Sequence, residues 1–202
     1  MSDITAEQVK GLRELTGAGM MDCKQALQET GGDIEKAVEL LRQKGLASVA
    51  KRAGRAANQG LVDSYIHFNN TVGVLVEVNC ETDFVANTDE FRRLTKDVAL
   101  HIASPASPRW LSREDVPADV LEYHRSLYEA QAKESGKPEH VVPRIVEGKL
   151  EAFHKENVLL EQPFVRDDSK TIQQLLDEVS AKVGEKVAVR RFVRYKLGEE
   201  LD

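Results

Sequence analysis

Leu61-Val-Asp-Ser-Tyr-Ile-His-Phe-Asn-Asn-Thr-Val-Gly-Val-Leu-Val-Glu-Val78 decides between an all-helical chain and a mixed one. Val72, Val74, Val76 and Val78 alternate with period two, which places their side chains on one face of a strand. Residues 61–68 form a second apolar run, and Asn69-Asn70 between the runs tolerates the positive φ of a tight hairpin turn. A third strand is expected from Val187 onward, because Val189, Val193, Tyr195 and Leu197 alternate with Arg190, Arg194 and Lys196. It should lie beside the hairpin.

The segments on either side are helical in pattern. Before the hairpin, Thr5-Ala-Glu-Gln8 has the spacing of a capping box, and Val9, Leu12 and Leu15 recur on a helical face. Gly17-Ala-Gly19 stops that helix, and a second runs from Met20 through Cys23 and Leu27 to the Gly31-Gly32 break. Asp33 is placed to N-cap a third, through Ile34, Val38 and Leu41, with Gly45 as its stop. After the hairpin, Phe91, Leu94, Val98 and Ile102 mark a helix that Pro105 and Pro108 end. Another begins about Pro117 and stops at Gly136. Ile145, Val146, Leu150 and Phe153 mark one more within residues 140–155; its start is open, because Pro143 removes a backbone bond if the helix begins as early as Pro138. Thr171 opens a second capping box ahead of Ile172, Leu175, Leu176, Val179 and Val183, with Gly184 as the stop. The fold class is therefore α+β: a three-helix domain over residues 1–55, a linker over 56–59, and over 60–202 an α+β core with a three-stranded antiparallel sheet and several helices.

Composition narrows the function. The 202 residues are 41% hydrophobic with 2 cysteines, enough to bury a core without disulfide staples. There is no run of roughly 18 apolar residues and no signal-peptide pattern, so a cytoplasmic protein without a membrane partner is expected. Cys23 and Cys80 have no CxxC or Cys/His ligand spacing, which fits a reducing compartment and argues against structural zinc. The net charge of −6 opposes wholesale coating of nucleic acid, yet residues 1–58 carry 9 basic and 8 acidic groups against 19 and 26 in the rest, so an electrostatic site must be local.

Few residues invite covalent chemistry. The sequence has no GxSxG elbow, no GxxxxGK[ST] loop and no HExxH, and the five histidines are scattered. Cys80 is the best nucleophile candidate, though a small strand-end thiol is far more often packing. Arg42, Lys44, Lys51, Arg52 and Arg55, with no acidic residue between Glu39 and Asp63, form a local basic segment that an RNA-binding accessory factor would use; the absence of aromatic residues for base stacking opposes it. Met20 and Met21 point about 100° apart on a helix, so where one fills a core the other is exposed to a protein partner. In Asn79-Cys-Glu-Thr-Asp-Phe-Val-Ala86, Phe84 follows the strongest strand and either closes the core or offers a contact.

Two of these stretches carry a resemblance. Leu12-Arg-Glu-Leu-Thr-Gly-Ala-Gly-Met-Met-Asp-Cys-Lys-Gln-Ala-Leu27 and Gly73-Val-Leu-Val-Glu-Val-Asn-Cys-Glu-Thr-Asp-Phe-Val85 look like the two signatures of the elongation factor Ts family, the guanine-nucleotide exchange factors of translation elongation factor Tu. Similarity continues through Ser135-Gly-Lys-Pro138, Glu147-Gly148, Leu160-Glu-Gln-Pro-Phe-Val165 and Arg190-Arg-Phe192, while Pro143 departs from the pattern. The resemblance implies that the three-helix domain is ubiquitin-associated-like and that the chain is no enzyme and carries no cofactor or metal. It implies that Thr82, Asp83, Phe84 and Val85 form a tip that disturbs the partner's Mg²⁺ site, with Phe84 as a wedge. Lys10, Arg13, Met20 and Met21 match N-terminal docking positions, and His67 a weaker contact in the core. Longer members carry two related core subdomains; this chain has room for one, so a homodimer is expected, and no direct nucleic-acid binding.

Overall fold

The computed structural model describes residues 4–199. The three N-terminal helices are α1 (Ala6–Thr16), α2 (Met20–Glu29) and α3 (Ile34–Arg52). Thr5 and Gln8 form the expected capping box, and Gly17 ends α1 at φ 70°, a conformation that costs a side-chain-bearing residue energy. Val9, Leu12, Cys23, Ala26, Leu27, Ala37 and Leu41 form the core of this bundle.

Three expectations for these helices need correction. Leu15 is 72% exposed. Six residues beyond Val9, it lies about 240° around the helix, whereas Thr16 at seven residues returns to the buried face. Ile34 is exposed too, and α3 uses Ala37 and Leu41 instead. Gly45 does not end α3, which continues to Arg52. A Cβ at Gly45 would stand 3.3 Å from the Ala181 Cβ, so this glycine allows a close approach and not a stop.

The hairpin follows as β1 (Gln59–Ile66) and β2 (Val72–Cys80). The connection is longer than a two-residue turn: the His67 N–H donates to the Val72 carbonyl at 2.9 Å, and Asn70 takes φ 56°. Asn69 Oδ1 accepts from the Thr71 N–H and hydroxyl, fixing the loop. Val74, Val76, Val78 and Cys80 are buried on one face of β2, as the alternation requires.

Next come a single helical turn, α4 (Asp83–Ala86), then α5 (Asp89–Ala103), α6 (Ala118–Glu134) and α7 (Val142–Asn157). A 3-10 turn over Glu139–Val141 precedes α7, so Pro143 falls in its first turn, where the missing N–H costs no intrahelical bond. Two short strands that the sequence pattern did not announce, β3 (Pro163–Phe164) and β4 (Asp167–Thr171), pair antiparallel ahead of α8 (Ile172–Val183). Thr171 and Gln174 bond reciprocally as the second capping box, and Gly184 takes φ 75°. The last strand, β5 (Ala188–Lys196), completes a three-stranded antiparallel sheet in the order β1-β2-β5. No helix among the described residues is long and apolar enough to cross a membrane.

The residues group into two compact units. One comprises the chain up to Leu61, Asn79–Arg92 and Leu176–Ala188; the other comprises Val62–Val78, Arg93–Leu175 and the chain from Val189. In the second unit Ala132, Val142, Val146 and Leu150 join α6 to α7, and Arg113 forks onto Glu151 and Glu161.

Candidate functional site

Where β2 ends, the chain makes one helical turn and presents an aromatic ring to solvent. Thr82 is the N-cap of α4, its hydroxyl oxygen accepting from the Val85 N–H at 3.4 Å. The other end is held by Asn87, whose side-chain amide donates to the Asp83 carbonyl at 2.9 Å, and by the Thr88 hydroxyl on the Val85 carbonyl at 2.8 Å. Ala86 is buried and anchors the turn. Phe84, two residues earlier, lies about 200° from it around the helix, and it is 82% exposed. Phe84 therefore does not close the core. Thr82, Asp83, Phe84 and Val85 stand together on this one turn, as their adjacency demands.

Behind the tip the Cys80 thiol is fully buried and donates to the Thr82 carbonyl at 3.1 Å. Burial, with the nearby Glu185 carboxylate adding to it, pushes the thiol up to about 11. A thiol both protonated and sealed is no nucleophile, which removes the reading of Cys80 as a catalytic residue.

The support of the tip comes from far along the chain. The Glu185 carboxylate accepts the N–H groups of Glu81 at 3.1 Å and Thr82 at 3.0 Å, and the Thr82 hydroxyl at 2.6 Å. The Glu81 carboxylate in turn accepts from the Lys186 N–H at 2.7 Å and from Arg55 at 3.3 Å, and both contacts hold it below the usual carboxylate range. The Lys186 ammonium caps the end of α3, donating to the carbonyls of Ala53 at 2.7 Å and Arg55 at 3.0 Å. No spacing rule could reveal Glu185 or Lys186, since their partners lie about a hundred residues away. The only local sign was a charged pair directly after a helix-stopping glycine.

The N-terminal candidates lie in the same compact unit as the tip. Lys10 is exposed and reaches Glu14 at 3.9 Å, a long pair that leaves the ammonium available. Arg13 follows on the next turn of α1. Met20 and Met21 open α2, and both are exposed, at 48% and 74%, so neither fills the core. Leu15 adds a third exposed apolar side chain to this part of the chain.

His67 belongs to the other unit. It sits at the hairpin loop with Nδ1 3.2 Å from the Tyr65 hydroxyl and its ring 4.5 Å from that of Phe68. In the basic segment, Arg42 is doubly bonded to Glu39 at 2.9 Å and Lys44 reaches Glu29 at 2.9 Å, while Arg52 donates to the Ser180 carbonyl at 3.1 Å. With Arg55 on Glu81, most of this charge is engaged within the chain, and phosphates would have to compete for it.

Comparison with known proteins bears on the whole chain. The family described as Elongation factor TS matches residues 4–199. The chain belongs to the elongation factor Ts family. A member from Thermoanaerobacter sp. (strain X514) is 59% identical over 199 residues, covering 98% of this chain and 97% of the relative. Members named Elongation factor Ts from Desulforamulus reducens, 58% identical over 202 residues, and Fervidobacterium nodosum, 55% over 197, cover 100% and 98% of this chain and 93% and 100% of their own lengths. The elongation factor Ts family marks this chain as a translation elongation factor, a protein of protein biosynthesis.

Proposed function

We propose that this chain binds elongation factor Tu, in its GDP-bound and nucleotide-free states, and speeds GDP release by inserting Phe84 into the partner's nucleotide domain. The observation that carries the reading is an 82% exposed phenylalanine on a helical turn bonded at both ends. A ring held out on such a turn offers a partner a large apolar surface to bury, and aromatic side chains dominate interface energetics. Asp83 assists beside it, and Thr82 and Val85 frame the turn. Displacement of the partner's Mg²⁺ removes the largest positive charge near the diphosphate, and GDP is then held less tightly.

Lys10, Arg13, Met20 and Met21 supply docking, on what we take to be a ubiquitin-associated-like domain, and His67 a further contact. No bond in the nucleotide forms or breaks, so the chain is an exchange factor working in the cytoplasm and not an enzyme. Coupling is reciprocal: a factor that weakens GDP binding is itself bound more weakly, by the same ratio, when GDP is present, so incoming nucleotide expels it.

Loss of labelled GDP from purified elongation factor Tu tests this, with the wild-type chain and Phe84→Ala compared. Wild type is expected to accelerate release and the variant to lose most of the acceleration. An exposed side chain contributes little to folding, so the free energy of unfolding should stay within about 0.5 kcal/mol of wild type. Equal release by the two chains would remove Phe84 from the mechanism.

A second copy of the chain is the further partner we propose. Val62, Ile66, Leu75, Val193 and Tyr195 are exposed on the three strands of the sheet, and they form an apolar surface that a two-fold pair would cover.

A further inference from the structure

We infer that Glu185 is the positioning residue of the Phe84 tip, an inference that rests on the exchange reading above and names what aims the wedge. Three donors converge on this one carboxylate. Oε2 takes two consecutive backbone N–H groups, of Glu81 and Thr82, and Oε1 takes the Thr82 hydroxyl at 2.6 Å. The hydroxyl bond has the length of a charge-assisted one, and the two N–H bonds are of ordinary length.

The third bond has a directional consequence. Because the Thr82 hydroxyl spends its proton on Glu185, its lone pairs are left to accept the Val85 N–H, which is the cap of α4. Glu185 thus fixes the rotor of the residue that sets where the helical turn starts, and with it the direction in which Phe84 leaves the surface.

Glu185 is itself held from several sides. The Ser180 hydroxyl donates to its carbonyl at 2.5 Å, and the next residue, Lys186, is tied to Glu81 and to the carbonyls at the end of α3. Load placed on Phe84 during insertion is therefore passed through these bonds to the ends of α3 and α8. Glu185 acts through Thr82, the residue its carboxylate holds.

The test is GDP release from elongation factor Tu, titrated to saturation, with wild type, Phe84→Ala, Glu185→Ala, Glu185→Gln and Thr82→Val compared per folded molecule. Amide hydrogen exchange of residues 81–86 is followed on the same samples. Glu185→Ala should lower the maximal release rate about tenfold or more, the scale of losing charge-assisted bonds. Its half-saturating concentration should stay within about twofold, because the docking residues are untouched. Glu185→Gln keeps an acceptor for the two N–H groups but turns its NH2 toward the Thr82 hydroxyl, so it should recover only part of the rate. Amide exchange in 81–86 should quicken in the alanine variant and return toward wild type in the glutamine one.

Should Glu185→Ala fail to fold, Thr82→Val, which keeps the side-chain shape and removes the hydroxyl, must show the same fall in maximal rate. Wild-type activity that vanishes in Phe84→Ala but persists unchanged in Glu185→Ala, or in Thr82→Val, overturns the Glu185 assignment alone. No acceleration by wild type, or none lost with Phe84, overturns the exchange reading and this inference with it.

Discussion

A Cβ added to Gly17 would stand 3.3 Å from Cε of Lys182, so the turn between α1 and α2 is seated directly on that lysine side chain. The Lys182 ammonium continues to Glu90 at 3.1 Å. Gly17 is thus required twice, for its φ of 70° and for the space it leaves. Gly17→Ala is expected to cost about 1 to 2 kcal/mol, from left-handed strain of about 1 kcal/mol and displacement of the lysine stem. Lys182→Ala should cost under about 1 kcal/mol, since the pair it breaks is exposed. Urea denaturation of both variants checks the order, and a neutral Gly17→Ala would mean that the turn adapts freely.

Met20 and Met21 should govern affinity and not the release step. Both side chains are exposed in the isolated chain, so replacing them with alanine leaves the fold nearly as stable. Truncating two apolar side chains at an interface costs about 1 to 2 kcal/mol each where they are well packed. The double variant is therefore expected to raise the half-saturating concentration in GDP release by about 30-fold or more, and to reach the wild-type rate at saturation. A fall in the plateau with unchanged half-saturation would place these residues in the release step itself.

What the sequence made legible follows from the range of the interactions involved. Capping boxes at Thr5 and Thr171, the stops at Gly17 and Gly184, and the alternation of Val74, Val76 and Val78 are governed by neighbours within a few residues. Each of these features could be read locally. Gly45 shows the limit, because a glycine that ends a helix and one that admits Ala181 look alike until the second element is in place. Leu15 is legible in principle, since the 100° step from Val9 carries it off the buried face. Phe84 could be assigned neither to core nor to surface by composition; its exposure depends on Ala86 taking the buried side of a single turn. Glu185 was beyond reach, its partners being fixed by the whole fold.

His101 should give the fold a pH dependence of known sign. It is fully buried, with Nδ1 accepting from the Val165 N–H at 3.2 Å and Nε2 lying 2.9 Å from Gln162 Oε1. The network makes Nε2 the donor, and Gln162 passes its own N–H groups to the carbonyls of Ala106 and Glu156. A second ring proton would point at the Val165 donor. Burial lowers the pKa below its ordinary 6.5, against the raising effect of Gln162. The unfolded chain then binds more protons than the folded one, so this stabilisation is complete above about 6.5 and is lost as pH falls through the folded value. His101→Asn can still accept from Val165, and it should show a shallower fall of stability on acidification below pH 6.5. A slope identical to wild type would show that His101 does not titrate with unfolding.

The sheet supplies the last prediction, a noncovalent homodimer. A Cβ at Gly73 would stand 3.1 Å from Ile66 Cδ1, so Ile66 leans across the neighbouring strand and shields it. Even so, Ile66 is 60% exposed, and Tyr195 at 62% and Leu197 at 79% extend the apolar area along the final strand and past its end. Of the alternating apolar residues of that strand only the first are buried, Val187 and Val189, while Val193, Tyr195 and Leu197 are exposed. Three neighbouring strands with apolar side chains in water are a surface suited to a self-complementary pair. Cys23 and Cys80 are both buried and unpaired, so no disulfide from them would link two copies. Sedimentation equilibrium at micromolar concentration should give twice the chain mass with or without reductant, and Val193→Asp combined with Tyr195→Asp should give one. Thermal stability of the wild type should also rise with concentration, since association stabilises whatever it binds. A single-chain mass at every concentration, with full GDP release, would overturn the pair and leave the exchange reading in place.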